Sequence, residues 1–496
     1  MSRRARQSLL LLGALALAAL AFLAWRGVLS LALLGWDSYP LIRAARVGGL
    51  AELAGTFGEE LMDGAYPLGR FWRPVVHLSF ALDHALWGLA PAGYHATGLV
   101  LLAACGVTLL FVARRLLGHG AWLAPLVAGL VYVLHPVQVE ILPVPARRAE
   151  ALAVLFTLLA LLAQPLAGEP RRRAWLAGLF CALALASKET GAMAIGLLLA
   201  LALASSRQSR WGSRLAACLR ATWPAWLCFG ATLAVRTAAL SGLGGSKQSS
   251  LTANLAAAPS VLRNYLADLV APSASLPAAS PLVADVLLVL LAALLARLSL
   301  WRAAAPDAGA ETAALPPPRF GLFLALSALV VALITSVSGL ARGWYALPFL
   351  PLYCLALAFA LDLGLGALAR GPRLAGACAV LLVAWLVTVP VCAVSRAGAL
   401  APLQHASVDE AVFLERFEAA VEGAPDGSTI TVPGLPTERR ADPRDPDSPN
   451  ILMLAPYSLE AYAKLRFPER TLRLELAGRT SGAPPGAGEL VVVLAP

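Results

Sequence analysis

The chain has 496 residues, of which 59% are hydrophobic and 14% charged, and it carries a formal net charge of +10. A soluble domain of this length cannot bury so large an apolar fraction, so the composition excludes a water-soluble globular enzyme and indicates a polytopic membrane protein. The cations fall in short loops beside apolar runs. That pattern excludes a nucleic-acid surface and leaves the lipid bilayer as the partner of most of the charge.

In chain order the apolar runs are residues 9–34, 94–112, 121–134, 149–166, 174–186, 191–204, 215–235, 282–295, 320–337, 344–365 and 374–394. Read at the ~20 residues that a bilayer crossing needs, they predict an all-α polytopic protein with about 11 transmembrane helices. The first run follows Arg3, Arg4 and Arg6 and is too long for a cleaved leader, so it reads as a signal anchor. Arginines then recur in every second loop: Arg114 and Arg115, Arg171 to Arg173, Arg207 to Arg214, Arg297 and Arg302, Arg370 and Arg373. The positive-inside rule makes those loops and the N-terminus cytoplasmic, and the C-terminus periplasmic. The Ala, Leu and Arg bias suits a GC-rich bacterial genome and hence an inner membrane. The seven cysteines all lie in apolar stretches and read as core side chains.

This gives a membrane domain over residues 1–394, with an outer loop at 35–93, and a polar segment at 395–496. That segment alternates helix-like "DEAVFLERFEAAVEG", strand-like "STITVPG", helix-like "SLEAYAKLRF" and strand-like "LVVVLAP", which predicts a small extracytoplasmic α/β domain. "ERRADPRDPDSPN" reads as a loop.

Topology does not explain the cations on the outer side: Arg73, Arg147, Arg148, Lys188 and Arg342. Ionisable groups at span ends are costly in lipid, and converging cations suit an anionic headgroup such as a phosphate. They recur in compact clusters. "HPVQVEILPVPARRAE" supplies His135, Glu140, Arg147, Arg148 and Glu150; "SKETGAM" supplies Lys188 and Glu189; "ARGWYALP" supplies Arg342 and Tyr345. Asp37 in "WDSYP" is the first carboxylate of the chain, and either caps the helix that follows or acts as a base. His95 and His135 read equally as core histidines or as groups that orient a carboxylate or phosphate. Glu140, Glu150 and Glu189 read as holding the cations in place. Asp83 and His84, in "FALDHALWG", fit an amphipathic interfacial helix.

Taken in order, "WDSYP", "FWRPVVHLSFALDHALWGLAPAGYH", "HPVQVEILPVPARRAEAL", "SKETGAM" and "ARGWYALP" resemble the membrane half of the tetratricopeptide-containing O-mannosyltransferases and their bacterial relatives, which are GT-C glycosyltransferases. The resemblance covers less than half of the chain, about residues 35–204 and the region of Arg342. It implies a GT-C fold, a polyprenyl-phosphate sugar as donor, an unidentified protein or glycan acceptor, and Asp37 as the catalytic base. It further implies donor-phosphate contacts from Arg148, Lys188 and Arg342; Arg73, His95, His135, Glu140, Glu150, Glu189 and Tyr345 read from their placement as supporting groups.

The chain departs from the pattern twice. Ser38 stands where the family carries a second acid, which argues against a divalent metal held by an acidic pair, unless Glu59, Glu60 and Asp63, later in the same loop, compensate. No tetratricopeptide array follows the last apolar run. The main alternative is a transporter or flippase for a lipid-linked or anionic substrate, for which matched broken spans in two halves would be the signature. No such pairing is visible.

Overall fold

The computed structural model describes residues 3–64, 66–67, 69–118, 121–166, 169, 172–242, 244–246, 250–270, 281–304, 315–338, 343–395, 400–432, 434–441, 450–476 and 491–493. Among these residues the chain is mostly helical, the state in which an apolar segment satisfies its own backbone away from water. The helices are α1 (Arg3–Trp25), α2 (Ser38–Ala44), α3 (Leu50–Gly55), α4 (Pro74–Trp87), α5 (Pro91–Leu117), α6 (Leu123–Leu134), α7 (Gln138–Ile141), α8 (Arg148–Ala163), α9 (Arg172–Ser187), α10 (Met193–Ser205), α11 (Trp211–Ala239), α12 (Leu251–Val270), α13 (Pro281–Ala304), α14 (Pro317–Ser338), α15 (Leu350–Arg370), α16 (Arg373–Ser395), α17 (Ala401–Gly423) and α18 (Pro456–Arg466). The strands are β1 (Gly69–Arg70), β2 (Gly245–Ser246), β3 (Thr429–Val432), β4 (Glu438–Arg440), β5 (Asn450–Leu452), β6 (Arg473–Leu476) and β7 (Val491–Val493).

Each apolar run of the sequence coincides with one of these helices. By length and composition, the segments able to cross a membrane are Ser8–Ser30, Pro91–Leu117, Pro317–Ser336 and Gly343–Arg370, with Leu123–Leu134, Glu189–Ser205 and Arg373–Thr388 as shorter apolar helices. Others, such as α8 and α9 at 16 residues each, fall short of the ~20 that a lone crossing needs. Large apolar side chains lie exposed along several helices, including Leu12 and Leu15 on α1, Val289 on α13 and Leu381 on α16. Such surfaces suit lipid and not water, and the chain is a multi-pass membrane protein.

Helix α8 packs between α5 and α9, α9 against α11, and α15 against α6 and α16. Their common core includes Leu109, Tyr132, Leu158, Leu198 and Leu355. A second apolar cluster joins the outer loop to the C-terminal segment, with Tyr39, Met62 and Trp72 from the first and Phe417, Leu459 and Tyr462 from the second.

In the C-terminal segment β3 runs parallel to both β6 and β7, placing Ile430 opposite Leu474 and Val492. The helix-like and strand-like stretches read from the sequence coincide with α17, β3, α18 and β7. The stretch read as a loop differs at its ends, where β4 and β5 pair antiparallel; residues 442–449 lie outside the described residues. Its polar ladder is sustained by cross-strand bonding, with Asn450 Nδ2 donating to Glu438 at 2.7 Å.

One buried group in this segment sets a pH dependence. Glu410 on α17 is fully buried, neither carboxylate oxygen has a hydrogen-bond partner among the described residues, and burial pushes the carboxyl up to about 8. The folded chain therefore keeps a proton that the unfolded chain releases in the ordinary carboxylate range. The resulting stability is fully present below that range and is lost as pH rises through about 8. Glu410→Gln should raise Tm above pH ~8 and change it little at pH ~4. A Tm difference that does not vary with pH would contradict this.

Candidate active site

The site begins at a strained turn. Gly35 has φ +97°, and a Cβ there would meet Val144 Cγ1 at 2.4 Å, so the chain leaves α1 through a conformation that favours glycine. Asp37 then precedes α2. It occupies the N-cap position but makes no capping hydrogen bond. Instead, its Oδ1 accepts from the Tyr457 hydroxyl at 2.8 Å, from α18 of the C-terminal segment. Burial raises the Asp37 carboxyl, and the Tyr457 bond together with the charges of Arg73, Arg147 and Lys188 offsets only part of that rise.

The three cations arrive on different elements. Arg73 directly precedes α4, whose Pro74 starts the helix without needing an N–H partner. Arg147 closes a short 3₁₀ turn that begins at Pro145. Lys188 follows α9 and precedes a turn that needs glycine, since a Cβ on Gly191 would lie 2.0 Å from the Ala184 carbonyl oxygen.

Each cation has its own carboxylate. Arg73 pairs with Glu189 at 2.7 Å, Arg147 with Glu140 at 3.0 Å, and Lys188 with Glu150 at 2.6 Å, while Arg236 of α11 lies 3.7 Å from Glu189. Aromatic faces cover the same cations: Phe71 beneath Arg73, Trp344 beneath Arg147 and Tyr345 beneath Lys188. Tyr66 also faces Asp37, and its hydroxyl is pushed up to about 12 by burial and then by that carboxylate. Among the described residues Asp37 makes no ion pair, which sets it apart from Glu140, Glu150 and Glu189.

Not every residue singled out in the sequence joins this group. The guanidinium of Arg148 pairs with Asp83 of α4 at 2.5 Å, donates to Ser79 and to the Tyr94 carbonyl, and lies over the Phe80 ring. Both partners are almost fully buried, at 2% and 1% side-chain exposure, so these contacts tie α8 to α4 and α5. An amphipathic interfacial helix would turn its Phe and Trp to lipid; here Trp87, Leu82 and Leu86 are exposed, while Phe80 is buried beneath Arg148 and Asp83 is buried with it. Both nitrogens of His95 face backbone carbonyls, of Leu142 and Ala32, and His135 bridges the Leu269 carbonyl and the Val137 N–H. Each histidine is satisfied by backbone. Arg342 lies outside the described residues.

Of the later acids in the outer loop, Glu60 pairs with Arg70. Among the described residues no three His, Cys, Asp or Glu side chains gather as metal ligands. A carboxylate ringed by cations is a poor donor set for a divalent metal.

The Arg148–Asp83 pair makes a distinct prediction. Arg148→Met leaves a buried carboxylate without its cation and should cost about 3–5 kcal/mol, whereas replacing both partners by apolar residues should recover most of that. Thermal unfolding in detergent reads both. A single variant as stable as the wild type would contradict the structural role.

Sequence reading missed Tyr457, Tyr66 and Arg236. Asp83 carried a usable signal, because an acid three residues after Phe80 on an apolar helix face needs a buried cation.

No family model matches the chain. A segment of 93 residues, 18% of the chain, is 43% identical to the protein O-mannosyl-transferase TMTC2 of Mus musculus and 39% identical to that of Xenopus laevis. A 91-residue segment is 33% identical to Tmtc1 of Drosophila melanogaster. The chain is therefore similar to the O-mannosyltransferases that its motifs resemble. The matched segment spans 11% of the length of the TMTC2 relatives.

Among solved structures, the chain is similar to ArnT from Cupriavidus metallidurans bound to undecaprenyl phosphate, at 13% identity and a TM-score of 0.47, covering 93% of this chain and 89% of that one. It is also similar to the oligosaccharyltransferase AglB from Archaeoglobus fulgidus in complex with an inhibitory peptide and a dolichol-phosphate. There the identity is 13% and the TM-score 0.47, covering 95% of this chain and 64% of that one.

Proposed function

We propose that the chain is a GT-C-type membrane glycosyltransferase that moves a sugar from a polyprenyl-phosphate donor to a hydroxyl acceptor at the outer face of the inner membrane. The observation that carries this reading is Asp37, a half-buried carboxylate that is raised above its ordinary range, makes no ion pair among the described residues, and faces three cations. In the proposed step the acceptor oxygen bonds to the anomeric carbon while the bond from that carbon to the phosphate oxygen breaks. Asp37 takes the acceptor proton, and the electron pair leaves on polyprenyl phosphate. Lys188, Arg73 and Arg147 receive the charge that develops on the leaving phosphate. Arg342 keeps the phosphate role that the resemblance implies for it, and Arg148 is assigned to holding α8 in place.

The orientation draws support from the far ends of the same helices. Arg115, in the last turn of α5, pairs with Glu169 at 2.5 Å, and Glu169 also pairs with Arg173 at the start of α9. These arginine-rich loops meet at the end of α8 and α9 opposite Arg147 and Lys188, which suits a cytoplasmic side there and a periplasmic site. On this reading residues 395–496 form a small periplasmic α/β domain. Topology reporters fused at Gly168 and at Pro496 should report opposite sides, and the same side for both would overturn the orientation.

A proteoliposome assay separates transfer from transport. With a labelled polyprenyl-phosphate sugar in the bilayer, a transferase splits sugar from lipid, whereas a flippase carries the intact molecule across. Movement without cleavage would overturn the transferase reading.

A further inference from the structure

The loop that bears Asp37 is gripped by a part of the chain some 400 positions away. The Ala32 N–H donates to Ser407 Oγ at 2.6 Å, and Trp36 Nε1–H donates to the Thr437 carbonyl at 3.1 Å. Ser458 Oγ donates to the Trp36 carbonyl, and the Tyr39 and Tyr462 rings meet edge to face with centroids 4.9 Å apart. The apolar cluster beneath is common to both regions. Within this grip Ser458 also receives the Ala455 N–H at 3.0 Å, which fixes the first turn of α18 and hence the direction of Tyr457.

From these contacts we infer that Tyr457 is a positioning residue for the base: its hydroxyl holds Asp37 Oδ1, leaving Oδ2 to meet the acceptor hydroxyl, so that the C-terminal segment is an integral part of the active site. The inference rests on the proposed role of Asp37. A capping aspartate would point its carboxylate at its own helix, and a salt-bridged one would be held by a cation. Among the described residues this one is held by a neutral donor, which orients a carboxylate without cancelling its charge. The bond also stabilises the charged form of Asp37, against the burial that opposes it. The other groups facing Asp37, namely Arg73, Arg147, Lys188 and Tyr66, remain when the Tyr457 hydroxyl is removed.

Tyr457→Phe tests this with little change in shape. Donor Kd should stay at the wild-type value, kcat should fall by up to about 100-fold as the base loses its alignment, and the acid limb of the pH–rate profile should move to higher pH. In an Asp37→Asn background the same substitution should cause no further loss. Wild-type kcat with an unmoved acid limb would overturn the inference, as would an equal loss in both backgrounds.

A readout free of turnover keeps the inference apart from the proposed function. The infrared carboxylic-acid band that disappears in Asp37→Asn should titrate at higher pH in Tyr457→Phe than in the wild type. An unmoved titration would overturn the inference, whereas a moved titration in a protein that transfers no sugar would uphold the contact and remove the function.

Discussion

Asp37→Asn should lower turnover by ~10²–10⁴-fold while leaving donor affinity near the wild-type value, because general-base assistance typically contributes that much and the phosphate contacts lie on other residues. Asparagine keeps the size and planarity of the side chain and can still accept from Tyr457, so the fold and the grip of the C-terminal segment should persist. The substitution removes only the charge and the basicity. A role for Asp37 as a mere helix cap would give the opposite result, since asparagine caps as well as aspartate, and the absence of a capping bond already speaks against it. Steady-state rates and donor binding, measured on one preparation, distinguish the two outcomes.

The second large effect concerns the phosphate. Lys188→Met alone would leave Glu150, which has no exposed surface, as a buried carboxylate without its cation, and would confuse binding with folding. The informative variant is Lys188→Met combined with Glu150→Gln, which removes both charges together. Hydrogen bonds to charged groups contribute about 1.5–3 kcal/mol, so donor Kd should rise by about 10–100-fold. Tm should stay close to that of the wild type. Unchanged donor affinity in this double variant would remove Lys188 from the phosphate site and shift the role to Arg73 and Arg147.

The apolar runs were legible because hydrophobicity along one segment is a local property, and so were the helices they became. Lys188, Glu150, Arg147 and Glu140 were legible for the reverse reason. Charges beside apolar runs cost too much to be there without partners, although only the Arg147–Glu140 pair is local and Lys188 finds Glu150 from another helix. Between Arg147 and Arg148 the sequence offered no choice. Adjacent side chains near a helix start point in different directions, and here one turns to Glu140 and the other to Asp83. The hydrogen bond between Asp37 and Tyr457 was beyond reach altogether, because nothing local links residues 420 positions apart.

The central claim is that this chain breaks the bond between sugar and polyprenyl phosphate with Asp37 as the base. The most direct measurement supplies purified wild-type protein and its Asp37→Asn variant with a panel of labelled polyprenyl-phosphate sugars and a mixture of hydroxyl acceptors, then quantifies lipid phosphate and glycoside together. The wild type should consume at least one donor, releasing polyprenyl phosphate in equal amount to the glycoside formed, while Asp37→Asn binds that donor and leaves it intact. Equal consumption by both proteins would contradict it.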